Sequence, residues 1–174
     1  MQYVKCKARC PHICLPLMFQ SPGIRLFALI VSIDQYELEG KFMRLSGCVN
    51  DGAAMRSFLT EKLKVPETHI KFLCNSYATR DAILDGFESH LLNNDDIQNG
   101  DAILIFYAGH GCRVGAPKEW AVGSNKIEAI CSYDSETSGM NGRVYVIPDF
   151  TLGALFRELA RQKGNNIVRH FVFL

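Results

Sequence analysis

The sequence carries almost no excess of charge of either sign. Nineteen Lys and Arg stand against eighteen Asp and Glu, a formal charge of +1 over 174 residues. That balance removes the electrostatic basis for binding nucleic acid or an anionic membrane surface. Long apolar runs are absent too, and no stretch approaches the roughly eighteen residues that cross a bilayer. Ile13–Phe19 is apolar but short, is interrupted by Pro16, and precedes no small-residue cleavage site. It reads neither as a signal peptide nor as a membrane span. No internal repeat and no low-complexity tract occurs. Gly-x-x-x-x-Gly-Lys-Ser/Thr is missing, and no Gly-x-Gly-x-x-Gly follows the first apolar run, which argues against nucleotide binding. Gly-x-Ser-x-Gly is missing as well, which counts against a serine hydrolase of the nucleophile-elbow kind.

What is present is globular in composition, 48% apolar and 21% charged, at a length that suits one domain. Seven cysteines make an odd count. Most fall inside regular-looking segments, so reduced thiols and a cytoplasmic location are expected. Residues 1–23 lack a sustained period and read as an irregular N-terminal extension to a domain over 24–174. Within it Cys6, Cys10, Cys14 and His12 do not match a common zinc spacing, and Pro11 breaks any helix there.

From Ile24 onward strands alternate with helices. Leu26–Ile33 is a near-continuous apolar run of the kind buried on both faces of a sheet. Asn50 and Asp51 occupy the place of a helix N-cap ahead of Met55, Phe58, Leu59 and Leu63. Ile70–Cys74 reads as a strand. Thr79 caps a helix with Ile83, Leu84, Phe87 and Leu91 on one face. Asn99-Gly100-Asp101 turns the chain into the strand Ala102–Tyr107. A region rich in Gly, Ser and Asn, 115–142, holds one shorter strand candidate at Lys126–Tyr133. Pro148 opens a helix carrying Leu152, Leu155, Phe156 and Leu159, ended by Gly164-Asn165. Ile167–Leu174 is the last strand. This alternation predicts an α/β fold, an open and mostly parallel sheet with helices on both faces.

Functional residues of such sheets gather past the carboxyl ends of the strands. Here Tyr107-Ala108-Gly109-His110-Gly111 places a histidine between two glycines directly after a buried strand. The glycines permit close backbone approach, so a substrate has room to lie against them. A turn histidine without chemical role is the plainer reading of the same residues.

In these motifs the sequence resembles the caspase-like cysteine peptidases, in particular fungal metacaspases, from about Leu26 to about Ile167. The segments that carry the resemblance are Phe27–Asp34, Leu45–Asp51, Asp101–Gly111, Ile130–Asp134 and Ile147–Asp149. It implies a caspase-like fold and a Cys–His dyad that hydrolyses peptide or protein substrates without a required cofactor. His110 would be the catalytic histidine and the backbone N–H of Gly111 an oxyanion donor, such donors being worth roughly 3 kcal/mol each. Cleavage after Arg or Lys is implied, with Cys48 and Asp51 at pocket positions. Asp51 reads equally as a plain helix N-cap. Ala108 stands where many metacaspases carry Ser, which removes one polar pocket contact. Calcium dependence is common in that family. Asp134 and Asp149 fall on acidic positions associated with it, but Phe150 replaces the next one, and hard cations want several oxygen ligands. A link to programmed cell death follows from the resemblance alone.

The nucleophile of that family lies in Asp-Cys-Cys-His-Ser-Gly after the strand that follows the Pro148–Lys163 helix. No such motif follows Ile167–Leu174, so the expectation is a domain cut short before its cysteine and incomplete on its C-terminal side. Cys112, two residues after His110, and Cys131, after a strand candidate, read as turn or buried thiols and not as substitutes. The last strand is expected to pair on one side only, leaving an apolar edge prone to self-association. The alternatives to a peptidase are a non-catalytic caspase-fold interaction or decoy module, or a small α/β binding protein.

Overall fold

A computed structural model describes residues 25–115, 126–140 and 142–173. The proposed extension over 1–23, with Cys6, Cys10 and Cys14, lies outside the described residues. Among those described, a parallel four-stranded sheet has the order β2-β1-β3-β9. It is built from β1 (Leu26–Ser32), β2 (Ile70–Cys74), β3 (Ala102–Gly109) and β9 (Ile167–Phe173). The α/β architecture expected from the alternation is therefore present.

The two central strands are apolar at almost every position because each of their faces is covered. Phe27, Leu29, Val31, Ile103, Ile105 and Tyr107 form one core with Ile83, Phe87, Leu91, Leu152 and Leu159. Ala28, Ile30, Leu104, Phe106 and Ala108 form a second with Cys48 and Leu59. The strand period of two thus sends alternate residues to opposite helical layers. On one face lies α1 (Cys48–Ser57), extended by a wider π-helical turn over Phe58–Lys62. On the other lie α2 (Arg80–Asp85), extended the same way over Gly86–Leu92, and α3 (Asp149–Lys163).

The helix ends follow local chemistry. Thr79 caps α2 as expected, its hydroxyl accepting from the Ala82 N–H at 3.2 Å. Gly164, at φ 93°, ends α3 in a conformation that suits glycine. Pro148 precedes α3 at its N-cap instead of opening it. The start of α1 departs from expectation. Asn50 and Asp51 lie inside its first turn, where the Asp51 N–H already donates to the Gly47 carbonyl at 2.8 Å. The capping carboxylate comes from Asp34, past the end of β1, which accepts from the N–H groups of Cys48 at 2.9 Å and Val49 at 3.3 Å. A tertiary partner does here what a local N-cap does elsewhere.

A hairpin missing from the sequence reading follows His110. It pairs β4 (Gly111–Gly115) with β5 (Lys126–Ile130), and β5 in turn pairs with β8 (Ile147–Pro148). The strand expected over Lys126–Tyr133 ends at Ile130 because Cys131–Tyr133 leaves the ladder for a loop. Two short strands, β6 (Ser138–Gly139) and β7 (Gly142–Arg143), pair with each other. As expected, β9 forms the edge of the main sheet, paired with β3 alone among the described residues.

Candidate functional site

Loops meet at the carboxyl edge of the parallel sheet, and hydrogen bonds lock them to one another. Past β1, the backbone N–H groups of Asp34 and Gln35 both donate to the Asn75 side chain beyond β2, at 2.9 and 3.2 Å. The Leu45 N–H returns to the Asp34 carbonyl at 2.8 Å, closing a loop over residues 34–45. Its tip is tied down by an ion pair from Lys41 to Glu136, 2.5 Å long. Glu136 also pairs with Arg143. These two cations overcome burial and hold the Glu136 carboxyl below its usual range.

His110 sits directly after β3, facing that loop. Its ring nitrogen Nε2 lies 2.7 Å from the Met43 carbonyl oxygen. A carbonyl can only accept, so Nε2 carries a proton and is the donor in this contact. The imidazole rests against Tyr36 and Phe42, with ring centroids 5.1 and 6.1 Å away. Its backbone N–H donates to the Tyr36 hydroxyl at 2.7 Å. The Tyr107 hydroxyl stands 2.8 Å from the His110 carbonyl and 2.9 Å from that of Cys131, its proton shared between the two. Burial pushes the pKa of both phenols well above the ordinary value, so they remain neutral hydrogen-bonding groups.

The glycines beside His110 are required, but by protein groups. A Cβ on Gly109 would lie 2.8 Å from the hydroxyls of both Tyr107 and Tyr36. On Gly111 it would lie 2.9 Å from the Phe173 ring. The space expected for substrate is filled here by side chains of the chain itself. In the β3–β9 register Gly109 is opposite Phe173, so the carboxyl end of β9 comes out beside His110.

Residues 27–162 match the family model described as metacaspase, peptidase C14 domain. The chain belongs to the metacaspase family. No curated protein matches it. Its fold is similar to the crystal structure of protein GSU0716 from Geobacter sulfurreducens, with TM-score 0.61 at 17% identity. That match covers 84% of this chain and 48% of the other, so the metacaspase chain spans about half the length of its structural neighbour.

The residues expected to line a substrate pocket are separated. Cys48 and Ala108 are both fully buried between α1 and the sheet and present no surface to a ligand. Small residues stand there because even-numbered β3 positions face α1 and its first turn packs on them. Burial, then a hydrogen bond to Asp34, pushes the Cys48 thiol up to about 12. Asp51 alone is exposed. It opens into a cavity of about 350 Å³ shared with Met55, Phe106, His170 and Val172.

The two acidic residues that the resemblance associates with calcium serve different helices. Asp134 accepts the Arg80 backbone N–H at 2.8 Å, at the start of α2, whereas Asp149 sits in the first turn of α3. Among the described residues no group of three or more His, Cys, Asp or Glu side chains is placed to hold a metal ion. No described helix is long and apolar enough to cross a membrane.

Sequence reasoning missed Asp34, Tyr36, Phe42, Tyr107 and the Met43 carbonyl. Asp34 and Tyr36 carried a signal, as polar residues placed directly after a buried strand. Nothing marked Met43, because its backbone oxygen does the work.

Proposed function

We propose that this metacaspase chain carries the histidine part of a cysteine endopeptidase site, with His110 as the general base and acid of a Cys–His dyad. The orientation of His110 carries this reading: Nε2 is committed to the Met43 carbonyl, so a thiol proton would have to be taken at the other ring nitrogen, Nδ1. A cysteine reaching the carboxyl end of β9 would enter beside that ring, as the Gly109–Phe173 register places this strand end next to it. Nδ1 would accept the thiol proton, the thiolate would attack the peptide carbonyl, and the imidazolium would protonate the leaving amine. The Gly111 N–H is proposed to hold the oxyanion. Specificity for Arg or Lys is proposed to rest on exposed Asp51, since Cys48 and Ala108 are buried. No step requires a metal.

The test is peptidase activity of the protein from its native source, with its intact mass, compared with a His110→Ala variant on Arg- and Lys-containing peptides. Loss of His110 is expected to lower kcat/KM by about 100-fold or more. An unchanged rate would remove His110 from the chemistry.

A second reading, a non-catalytic module that pairs with another chain, draws on β9. Val168 and Phe173, both 57% exposed, lie on this edge strand. Unpaired apolar edges template further pairing. Self-association at micromolar concentration, reversed by Val168→Lys, would support this reading, and a wild-type monomer by light scattering would discard it.

A further inference from the structure

The hairpin after His110 brings together two cysteines that the proposed peptide chemistry does not use. Its ladder runs antiparallel with Gly111 opposite Ile130. One step further, the Cys131 N–H donates to the His110 carbonyl at 3.0 Å. Cys112 and Cys131 are therefore diagonal neighbours on one face of this ladder, the arrangement in which side chains across two strands meet. Each thiol is the main influence on the acidity of the other.

The two sulfurs have different surroundings. Cys131 is fully buried. Cys112 is half-buried and lines a cavity of about 650 Å³ between the hairpin, the start of α3 and the α3-facing side of β9. Phe156, Phe171 and Phe173 supply apolar wall, and Arg113 and Arg169 share the rest of the lining with the carboxylates of Glu128 and Asp149, Arg113 being paired with Glu128. The influence of Cys131 draws the Cys112 pKa below its ordinary value, and that of Cys112, together with burial, raises the Cys131 pKa above it. The reachable sulfur is thus the better nucleophile, and the enclosed one is placed to attack whatever forms on it.

We propose that Cys112 and Cys131 are a redox-active dithiol, a modification site that closes to an intramolecular disulfide beside His110. The oxidant is a low-molecular-mass disulfide such as oxidised glutathione. The Cys112 thiolate attacks one glutathione sulfur, the glutathione S–S bond breaks, and one glutathione leaves as thiolate. Cys131 then attacks the Cys112 sulfur of the mixed disulfide, and its proton passes to the sulfur of the second glutathione as that leaves. The protein loses two electrons and two protons, and oxidised glutathione is reduced to two thiols. Diagonal neighbours typically have Cα atoms about 7–8 Å apart, whereas a disulfide holds them at about 4.4–6.8 Å. Closing the bond draws β4 toward Cys131, whose N–H holds the His110 carbonyl and whose own carbonyl shares the Tyr107 hydroxyl.

The test needs no peptidase activity, so its failure would leave the reading of His110 untouched. The full chain is incubated with oxidised glutathione, alkylated, and digested with trypsin without reduction. The expected product is a linked pair of peptides, one ending at Arg113 and the other at Arg143, with both thiols lost to alkylation. Cys131→Ser is expected to stop at a stable glutathione adduct on Cys112. Cys112→Ser is expected to yield neither adduct nor link, because Cys131 is out of reach of the oxidant. A wild-type chain that stops at the Cys112 adduct, stays reduced, or links Cys112 to a different cysteine would overturn the proposal. That mapping decides the matter even where a variant fails to fold.

Discussion

Replacing Gly109 with Ala probes the packing that holds His110. The added Cβ would stand 2.8 Å from two hydroxyl oxygens at once, Tyr36 Oη and Tyr107 Oη. Ordinary contact begins near 3.4 Å, so each oxygen must retreat by about 0.6 Å. Neither phenol moves easily, since Tyr36 is 3% exposed and Tyr107 is 1% exposed. Overfilling a packed core costs about 1–3 kcal/mol. Stretching the bond from the His110 N–H to Tyr36 adds about 1 kcal/mol. A total near 3 kcal/mol corresponds to a Tm about 9 °C lower for a chain of this size. Calorimetry of Gly109→Ala beside Gly115→Ala, where a Cβ meets nothing within 4 Å, reads the difference directly. The Gly115 variant is expected to stay within about 0.5 kcal/mol of wild type. Tyr36→Phe in the Gly109→Ala background removes one obstructing oxygen and is expected to recover about 1 kcal/mol. A Gly109→Ala chain melting within about 2 °C of wild type, or two substitutions whose effects simply add, would refute this account of the glycine.

Two further outcomes follow from the residues that join the sheet to its helices. Asp34→Ala removes the carboxylate that accepts from the first N–H groups of α1, those of Cys48 and Val49. A loss of about 1–2 kcal/mol is expected in urea titration, and no loss would mean that water caps the helix equally well. His90 is half-buried, with Nε2 donating to the carbonyls of Ala28 at 3.1 Å and His69 at 3.2 Å. Burial holds its pKa below the usual 6.5. As pH falls through 6.5 the unfolded chain takes up the proton first, so this contribution is complete above that pH and declines below it. His90→Gln is expected to flatten the fall of Tm between about pH 6.5 and 5. An unchanged slope would assign the acid sensitivity to other groups.

The main sheet was legible because its signal is short-range. Leu26–Ser32 and Ala102–Gly109 are continuous apolar runs, and such runs are what a strand covered on both faces requires. His110 was legible for a related reason, since the end of a buried strand is where an open parallel sheet exposes side chains. Its supports were not. The Tyr36 hydroxyl and the His110 N–H are 74 residues apart, and the Met43 carbonyl is 67 away. Neither pairing leaves a period, and one of them involves no side chain at the acceptor. The cap of α1 was misassigned on similar grounds, because Asp51 and Asp34 are equally competent carboxylates and only tertiary structure brings Asp34 to the helix. The hairpin β4–β5 was passed over because Gly111–Gly115 alternates exposed and half-buried positions without a strong apolar pattern.

The Met43 carbonyl and the Tyr36 and Phe42 rings that meet the His110 imidazole all lie in the loop after β1. The ring is therefore expected to keep its Nε2–H form whatever occupies the space beside β9. Nitrogen-15 NMR at a pH where the imidazole is neutral distinguishes the two forms, and Nδ1 is expected to show the shift of an unprotonated ring nitrogen. Lys41→Ala cuts the ion pair from the loop tip to Glu136, whose carboxylate is 8% exposed while the lysine is 51% exposed. Because the partner on one side is solvated, stability should change by less than about 1 kcal/mol. The His110 resonances should nonetheless broaden as the Met43 carbonyl gains freedom, while the melting curve barely moves. A dominant Nδ1–H form in the wild type would break the argument at its base. That nitrogen could not then accept a thiol proton, and the Met43 carbonyl would be a neighbour of the ring without setting its chemistry.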